Sequence, residues 1–219
     1  MTEYQQIERL DLARQYKSCC SPLNSIKLAT MKINRNGQAT PLTPQTYQQI
    51  SDQLKREKHK LFLGLSWYTG ERPEAILSAD VDRVYENPAQ RQPRDTIIYP
   101  GANRKDKKTR EVPTHWALKL MLAAYQPPSS GFLFPSFYKD GHLSRQAIDK
   151  VFRRAVLKAG LKNKGFSLYS ARRGFITHLS EKGLNVKTIQ SLTGHKSLSS
   201  LVKYIDVTDE QRRNAISIF

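Results

Sequence analysis

Cysteine is nearly absent from this chain: Cys19 and Cys20, side by side, are the only two among 219 residues. A vicinal pair makes a poor structural disulfide, and no second Cys or His pair follows at zinc-ligand spacing. A disulfide scaffold and a zinc module are thereby excluded, and both thiols are expected reduced. Long apolar runs are missing too. None approaches the ~18 residues a membrane span needs, and MTEYQQIERL lacks the apolar core of a secretory signal. The expected setting is the cytoplasm, in association with the nucleoid, with no membrane partner. No Asp-Glu set resembles a two-metal nuclease site, so no metal and no other cofactor is expected. Internal repeats and long low-complexity tracts are also lacking.

What is abundant is positive charge. Lys and Arg number 36 against 19 acidic residues, a net charge of +17. Such an excess calls for a polyanionic partner, and nucleic acid is the first candidate. No lipidation signal supports anionic lipid instead. Two Trp, ten Tyr and eight Phe within a hydrophobic share of 38% can build one large domain, or a domain plus an appendage.

The first 41 residues read as an N-terminal extension, a partial DNA-clamping segment. Ile7, Leu10, Ala13 and Tyr16 lie at helical spacing, Pro22 ends that helix, and Ser25 to Ile33 fits a strand or a second short helix. A catalytic-sized unit then runs from 42 to 219. Thr43 and Pro44 open a helix as N-cap and first helical residue, reaching Lys55 or Arg56. An apolar helix follows from His59 to Tyr68, and Pro73 starts a third. Arg72 sits at the joint after Gly70.

The period then changes. Segments 81–86, 95–101 and 109–115 read as three short strands, with 86–94 as a polar surface loop. ANRKDKKTR (102–110) reads as a basic hairpin tip. Helices return at Trp116–Tyr125, at 145–159 with Ser144 as N-cap, at Ser167–Lys182, at Val186–Leu192, at Ser199–Tyr204 and at Thr208–Ile218. In the 145–159 helix Ile148, Val151, Phe152 and Val156 form an apolar stripe, leaving Lys150, Arg153, Arg154 and Lys158 on a basic outer face. The expected fold class is mainly α with a small three-stranded antiparallel β-sheet.

Arginine suits phosphate, because its fork donates two hydrogen bonds and keeps its charge. Arg72 follows a Gly turn, and Arg172 lies among Phe166, Leu168, Ala171, Phe175 and Ile176. A free tyrosine hydroxyl is mostly neutral near pH 7; nearby positive charge or a base makes it a nucleophile. Its attack on a phosphodiester would conserve the bond energy as a phosphotyrosyl ester. Taken alone, Tyr204 could equally be a packing aromatic. His178 is expected to pack on a buried helix face.

The combination is more specific. T-G-E-R (69–72), R-E-V-P (110–113), A-R-R-G-F-I-T-H-L (171–179), L-T-G-H (192–195) and L-V-K-Y (201–204) occur in order, with 23 residues from Arg172 to His195 and nine more to Tyr204. Over about 42–219 the chain resembles the catalytic domain of tyrosine recombinases, the phage-integrase class. That resemblance implies the recombinase catalytic-domain fold and places Arg72 and Arg172 on the scissile phosphate. It makes Lys105 the acid for the leaving 5′ oxygen, with Lys107 and Lys108 as rivals for that role. His195 would bond the phosphate or assist the nucleophile, and Tyr204 would form a 3′-phosphotyrosyl intermediate. Where the family carries His-x-x-Arg this chain has Tyr169-Ser170-Ala171-Arg172, so Tyr169 replaces an imidazole with a phenol.

Arg104, Lys107, Lys108, Arg110, Arg153, Arg154 and Arg173 are the expected DNA contacts. The implied partner is double-stranded DNA, and the implied activity is site-specific strand cleavage and rejoining without metal or ATP. Ala215, Ile216 and Phe219 would dock on their own domain or, as the resemblance implies, on a neighbouring protomer of a homo-oligomer (tetramer) on DNA. The short N-terminal segment resembles the plan of fimbrial phase-variation recombinases, with an accessory DNA-bending protein as a further partner. The alternatives are a DNA-binding protein of recombinase fold without strand exchange, and a type IB topoisomerase-like activity.

Overall fold

In a computed structural model the chain divides into two compact units, 1–30 and 31–219. The structure describes residues 37–103, 107–137, 141–202, 204–205 and 209–217. The elements expected at 7–16 and 25–33, and both cysteines, lie outside these residues. No helix among the described residues is long and apolar enough to cross a membrane.

Local chemistry sets the helix starts. Helix α1 (Pro44–Asp52) begins at Thr43, whose hydroxyl accepts the Thr46 N–H at 3.2 Å while the Thr43 N–H donates to the Thr46 hydroxyl at 2.8 Å. This reciprocal cap uses threonine at both ends. Helix α2 (Glu57–Thr69) stops at Gly70, which adopts a left-handed φ of 59°. A side chain there would be strained by the backbone and would also overlap the Phe175 ring. Arg72 then takes the extended N-cap position before α3 (Pro73–Leu77), with Pro73 at the first helical position.

The strand region differs from expectation. Instead of one three-stranded sheet there are two separate antiparallel pairs: β1 (Tyr85–Asn87) with β2 (Gln92–Pro93), and β3 (Thr96–Tyr99) with β4 (Arg110–Pro113). The physical reason lies in 81–83, which coils into one 3₁₀ turn held by the Val81 N–H to Gly131 carbonyl bond at 2.8 Å. That turn leaves only three extended residues, and these pair with the segment expected as a loop. Pro93 closes this second strand, having no N–H to extend the ladder. The β3–β4 register, Thr96↔Pro113 to Tyr99↔Arg110, pairs the two strands expected on either side of the basic stretch.

Helices α4 (Trp116–Ala124), α5 (Arg145–Lys158), α6 (Ser170–Glu181), α7 (Val186–Thr193), α8 (Leu198–Val202) and α9 (Asp209–Ile216) follow. Ser144 caps α5 by accepting the Ala147 N–H, and Asn185 caps α7 by accepting the Lys187 N–H. On α5, Ile148, Phe152 and Val156 are buried and Lys150, Arg153, Arg154 and Lys158 are exposed, as the stripe predicts. Helix α6 starts three residues later than expected, because the Ser167 N–H donates to the Ser170 hydroxyl and closes a turn first. His178 is exposed rather than packed; it lies on the outer face of α6, while Ile176, Leu179 and Ser180 around it turn inward.

Two apolar clusters result. The large one joins Leu61 and Leu65 of α2, Ile76 and Leu77 of α3, Ile97 and Tyr99 of β3, Leu118 and Leu122 of α4, Phe152 of α5 and Ala171 of α6. The small one has three fully enclosed residues, Ile176, Ile189 and Leu201, with Phe175, Leu179, Tyr204 and Ile205 packed against it. Gly174 lets α6 approach the first: a Cβ there would collide with the Leu42 carbonyl and Trp67.

Candidate active site

Arg172 enters from α6 and is almost fully enclosed, at 5% exposure. Its Nη1 donates to the Gly70 carbonyl at 2.5 Å, and its Nη2 to the Thr193 carbonyl at 2.8 Å. These are ends of helices, where carbonyls lack intrahelical partners. One guanidinium therefore ties the end of α2 to the end of α7. Nη2 also lies 3.4 Å from His195 Nε2.

His195 follows Gly194, whose left-handed φ of 63° ends α7 and turns the imidazole back toward Arg172. Its Nδ1 is 2.7 Å from the Thr193 hydroxyl. That hydroxyl has a single proton, already donated to the Ile189 carbonyl at 2.7 Å. It must therefore accept from His195, which assigns the proton to Nδ1 and leaves Nε2 as the acceptor. Burial first, then the charges of Arg172, Arg72 and Arg110, lower the His195 pKa from 6.5 to about 4. At neutral pH the ring is uncharged, and its Nε2 lone pair faces the Arg172 guanidinium.

Tyr204 lies next to it. The two ring centroids are 5.9 Å apart, and the Tyr204 N–H bonds the Leu201 carbonyl at 2.9 Å. The Arg173 guanidinium stands over the Tyr204 ring, 4.8 Å from its centroid. Arg173, expected on DNA, is thus half-buried against the candidate nucleophile.

Arg72 reaches the same neighbourhood from the T-G-E-R turn; its charge, with that of Arg110, bears on His195. Lys105 and Arg104 lie outside the described residues. Lys107 and Lys108 are exposed on the hairpin, Lys107 with a left-handed φ of 58°. Tyr169 is 39% exposed, and its ring faces the Arg145 guanidinium at 5.4 Å.

Arg110 corrects an expectation. Placed among the DNA contacts from the sequence, it is 6% exposed and ion-paired with Glu71, Nη1 to Oε2, at 2.9 Å. Its Nη2 donates to the Thr69 carbonyl at 2.8 Å. Alternation along R-E-V-P puts Arg110 on the same face as buried Val112, a signal the sequence carried. Glu71 and Thr193 are the other residues missed. Both were visible inside T-G-E-R and L-T-G-H, but their burial follows only from packing.

Among the described residues no group of three or more His, Cys, Asp or Glu is arranged to hold a metal ion. What the cluster offers is enclosed arginine, a neutral imidazole and a phenol: groups suited to bind an anionic centre and attack it.

Residues 41–211 match the Phage integrase family. The chain is 33% identical over 86 residues to the tyrosine recombinase XerD of Brucella suis biovar 1 (strain 1330), covering 39% of this chain and 28% of that protein. It is 27% identical over 223 residues to a tyrosine recombinase of Pseudothermotoga lettingae, covering 94% of this chain and 73% of that one. Its fold is similar to that of XerA recombinase, with a TM-score of 0.64 at 17% identity over 99% of this chain and 76% of the other. XerH site-specific recombinase bound to difH substrate gives a TM-score of 0.64 at 20% identity, over 85% and 56%. The match to XerD thus spans little more than a quarter of that relative.

Proposed function

The chain belongs to the phage integrase family, and from that premise we propose that it is a site-specific DNA recombinase that cuts and rejoins strands through Tyr204. The observation that carries this reading is the convergence of enclosed Arg172, neutral His195 and Tyr204, three residues 23 and nine positions apart, in one site.

In the proposed step the Tyr204 Oη attacks the scissile phosphorus. The bond from phosphorus to the 5′ oxygen breaks, leaving a 3′-phosphotyrosyl ester and a 5′ hydroxyl. Arg72 and Arg172 balance the charge that grows on the non-bridging oxygens. His195 Nε2 is the acceptor for the phenolic proton, and Lys105 gives a proton to the departing oxygen. One phosphoester replaces another, so the reverse attack by a 5′ hydroxyl reseals a strand without ATP. Tyr169, set against Arg145, is assigned a supporting place.

The catalytic unit is taken as 42–219, with 1–41 as a clamping extension. Exposed Lys107, Lys108, Arg153 and Arg154, together with Arg104, are assigned to DNA phosphates, which makes affinity strongly salt-dependent. Helix α9, with Ile216 at 74% exposure, fits docking between protomers of a tetramer on DNA.

Plasmids carrying two copies of the DNA that flanks the chain's own gene test this. Recombined circles are the expected product. Relaxation without recombinants would favour a type IB topoisomerase-like activity, and salt-sensitive binding with neither product a DNA-binding protein of this fold.

A further inference from the structure

Glu71 is the middle residue of T-G-E-R and is wholly buried. An enclosed carboxylate persists only when it is paired and hydrogen-bonded. Its Oε2 meets Arg110 Nη1 at 2.9 Å. Its Oε1 accepts the Arg72 backbone N–H at 2.7 Å and stands 3.9 Å from Arg172 Nη1. One carboxylate is thus paired closely with the Arg110 guanidinium, more distantly with that of Arg172, and with Arg72 through its backbone N–H.

Arg110 anchors this carboxylate. It projects from β4, donates to the Thr69 carbonyl, and lies 6.0 Å from the Tyr99 ring centroid. Tyr99, in turn, is 3.4 Å from the Thr69 hydroxyl. The T-G-E-R turn is thus held on one side by Arg110, and on the other by Arg172 through the Gly70 carbonyl.

A negative charge in this place opposes phosphate binding. Placed beside Arg72 and Arg172, it weakens their attraction for a DNA phosphate rather than adding to it. Its benefit must then lie in orientation, since a planar fork binds an anion well only when its plane is fixed. We propose that Glu71 and Arg110 form a positioning pair: Arg110 holds the Glu71 carboxylate, and the carboxylate steadies the Arg172 guanidinium and fixes the backbone from which Arg72 projects, for the scissile phosphate. Neither residue of the pair contacts DNA. The consequence is a split between rate and affinity, and the proposal rests on the strand-exchange reading above.

The test uses the full chain with Glu71→Gln, which keeps the acceptor for the Arg72 N–H and removes the charge. On a nicked duplex at saturating protein, covalent adduct should form about 10- to 100-fold more slowly than in the wild type. Affinity for the same duplex, measured in a Tyr204→Phe background, should be equal or tighter. Arg110→Met should slow the adduct similarly, and the double variant should be no slower than the slower single. Adduct at the wild-type rate in Glu71→Gln overturns the proposal. So do parallel losses of rate and affinity, or singles whose effects multiply.

A second readout needs no activity. In DNA-free protein labelled with ¹⁵N-arginine, rotation of the Arg172 guanidinium should be slow in the wild type and fast in Glu71→Gln. Unchanged Arg172 signals overturn the positioning pair even if the wild type forms no adduct. A wild type that forms no adduct, with those signals responding as expected, instead defeats the strand-exchange reading.

Discussion

The two apolar clusters do different work for the same site. Arg72 and Arg172 stand on the large cluster: α3 behind Arg72 buries Ile76 and Leu77, and α6 around Arg172 buries Ala171. Tyr204 belongs to the small one, where Ile176, Ile189 and Leu201 are the fully enclosed members and Val202 and Leu198 on α8 remain exposed. The difference suggests a division of labour. Groups that hold an anion need fixed geometry, whereas a nucleophile that must attack, stay bonded and be released can sit on a lightly packed element. Arg172 joins the two, since its Nη2 bonds the end of α7.

The largest effect should come from that joint. Arg172→Ala removes the donor to Gly70 and Thr193 and leaves Glu71 short of a cation. Adduct formation should fall by roughly 10²- to 10³-fold, and denaturant titration should show a loss of about 3–5 kcal/mol. Retained stability would mean the clusters do not depend on this link.

Next come paired truncations. Leu77→Ala should cost about 2–5 kcal/mol in global unfolding. Leu201→Ala should cost less than about half of that globally, with the lost hydrogen-exchange protection confined to 184–205. Equal global losses would erase the distinction between the clusters. Gly70→Ala should follow, costing about 1–2 kcal/mol for the left-handed backbone alone, with more from overlap with Phe175. Adding Phe175→Leu should recover only the overlap, read as a partial return of the melting midpoint.

The smallest stability effect concerns pH. Burial, aided by Arg172, Arg72 and Arg110, holds the His195 pKa near 4, below its ordinary 6.5. The unfolded chain takes up this proton first, so the contribution is whole above about pH 6.5 and is lost as pH falls toward 4. His59 and His115 are lowered as well. The informative quantity is therefore the wild-type curve minus that of His195→Gln, which should shrink across that window. Solvent reaching the ring keeps it modest.

Local chemistry carried much of the fold in the sequence. Thr43-Pro44, Ser144 and the Gly70 turn were legible because caps and left-handed turns depend on neighbours in the chain. The basic outer face of α5 was legible from its 3.6 period. The site's triad was legible through motif order. The fate of the first expected strand was not. That 81–83 coils, leaving 85–87 to pair with 92–93, involves the Gly131 carbonyl, fifty residues from Val81. Arg110 read as a DNA contact and Glu71 went unremarked, because their pairing across 39 positions is visible only in the packed structure. His178 followed the apolar pattern but falls on the outer face of α6, whose inward face carries Ile176 and Leu179.

The most direct measurement is peptide mapping of a trapped adduct on a duplex nicked just beyond the scissile phosphate. The account predicts nucleotide mass on the peptide containing Tyr204, joined through a 3′ phosphate, and no adduct from Tyr204→Phe. An adduct on any other residue, or one that survives Tyr204→Phe, would contradict it.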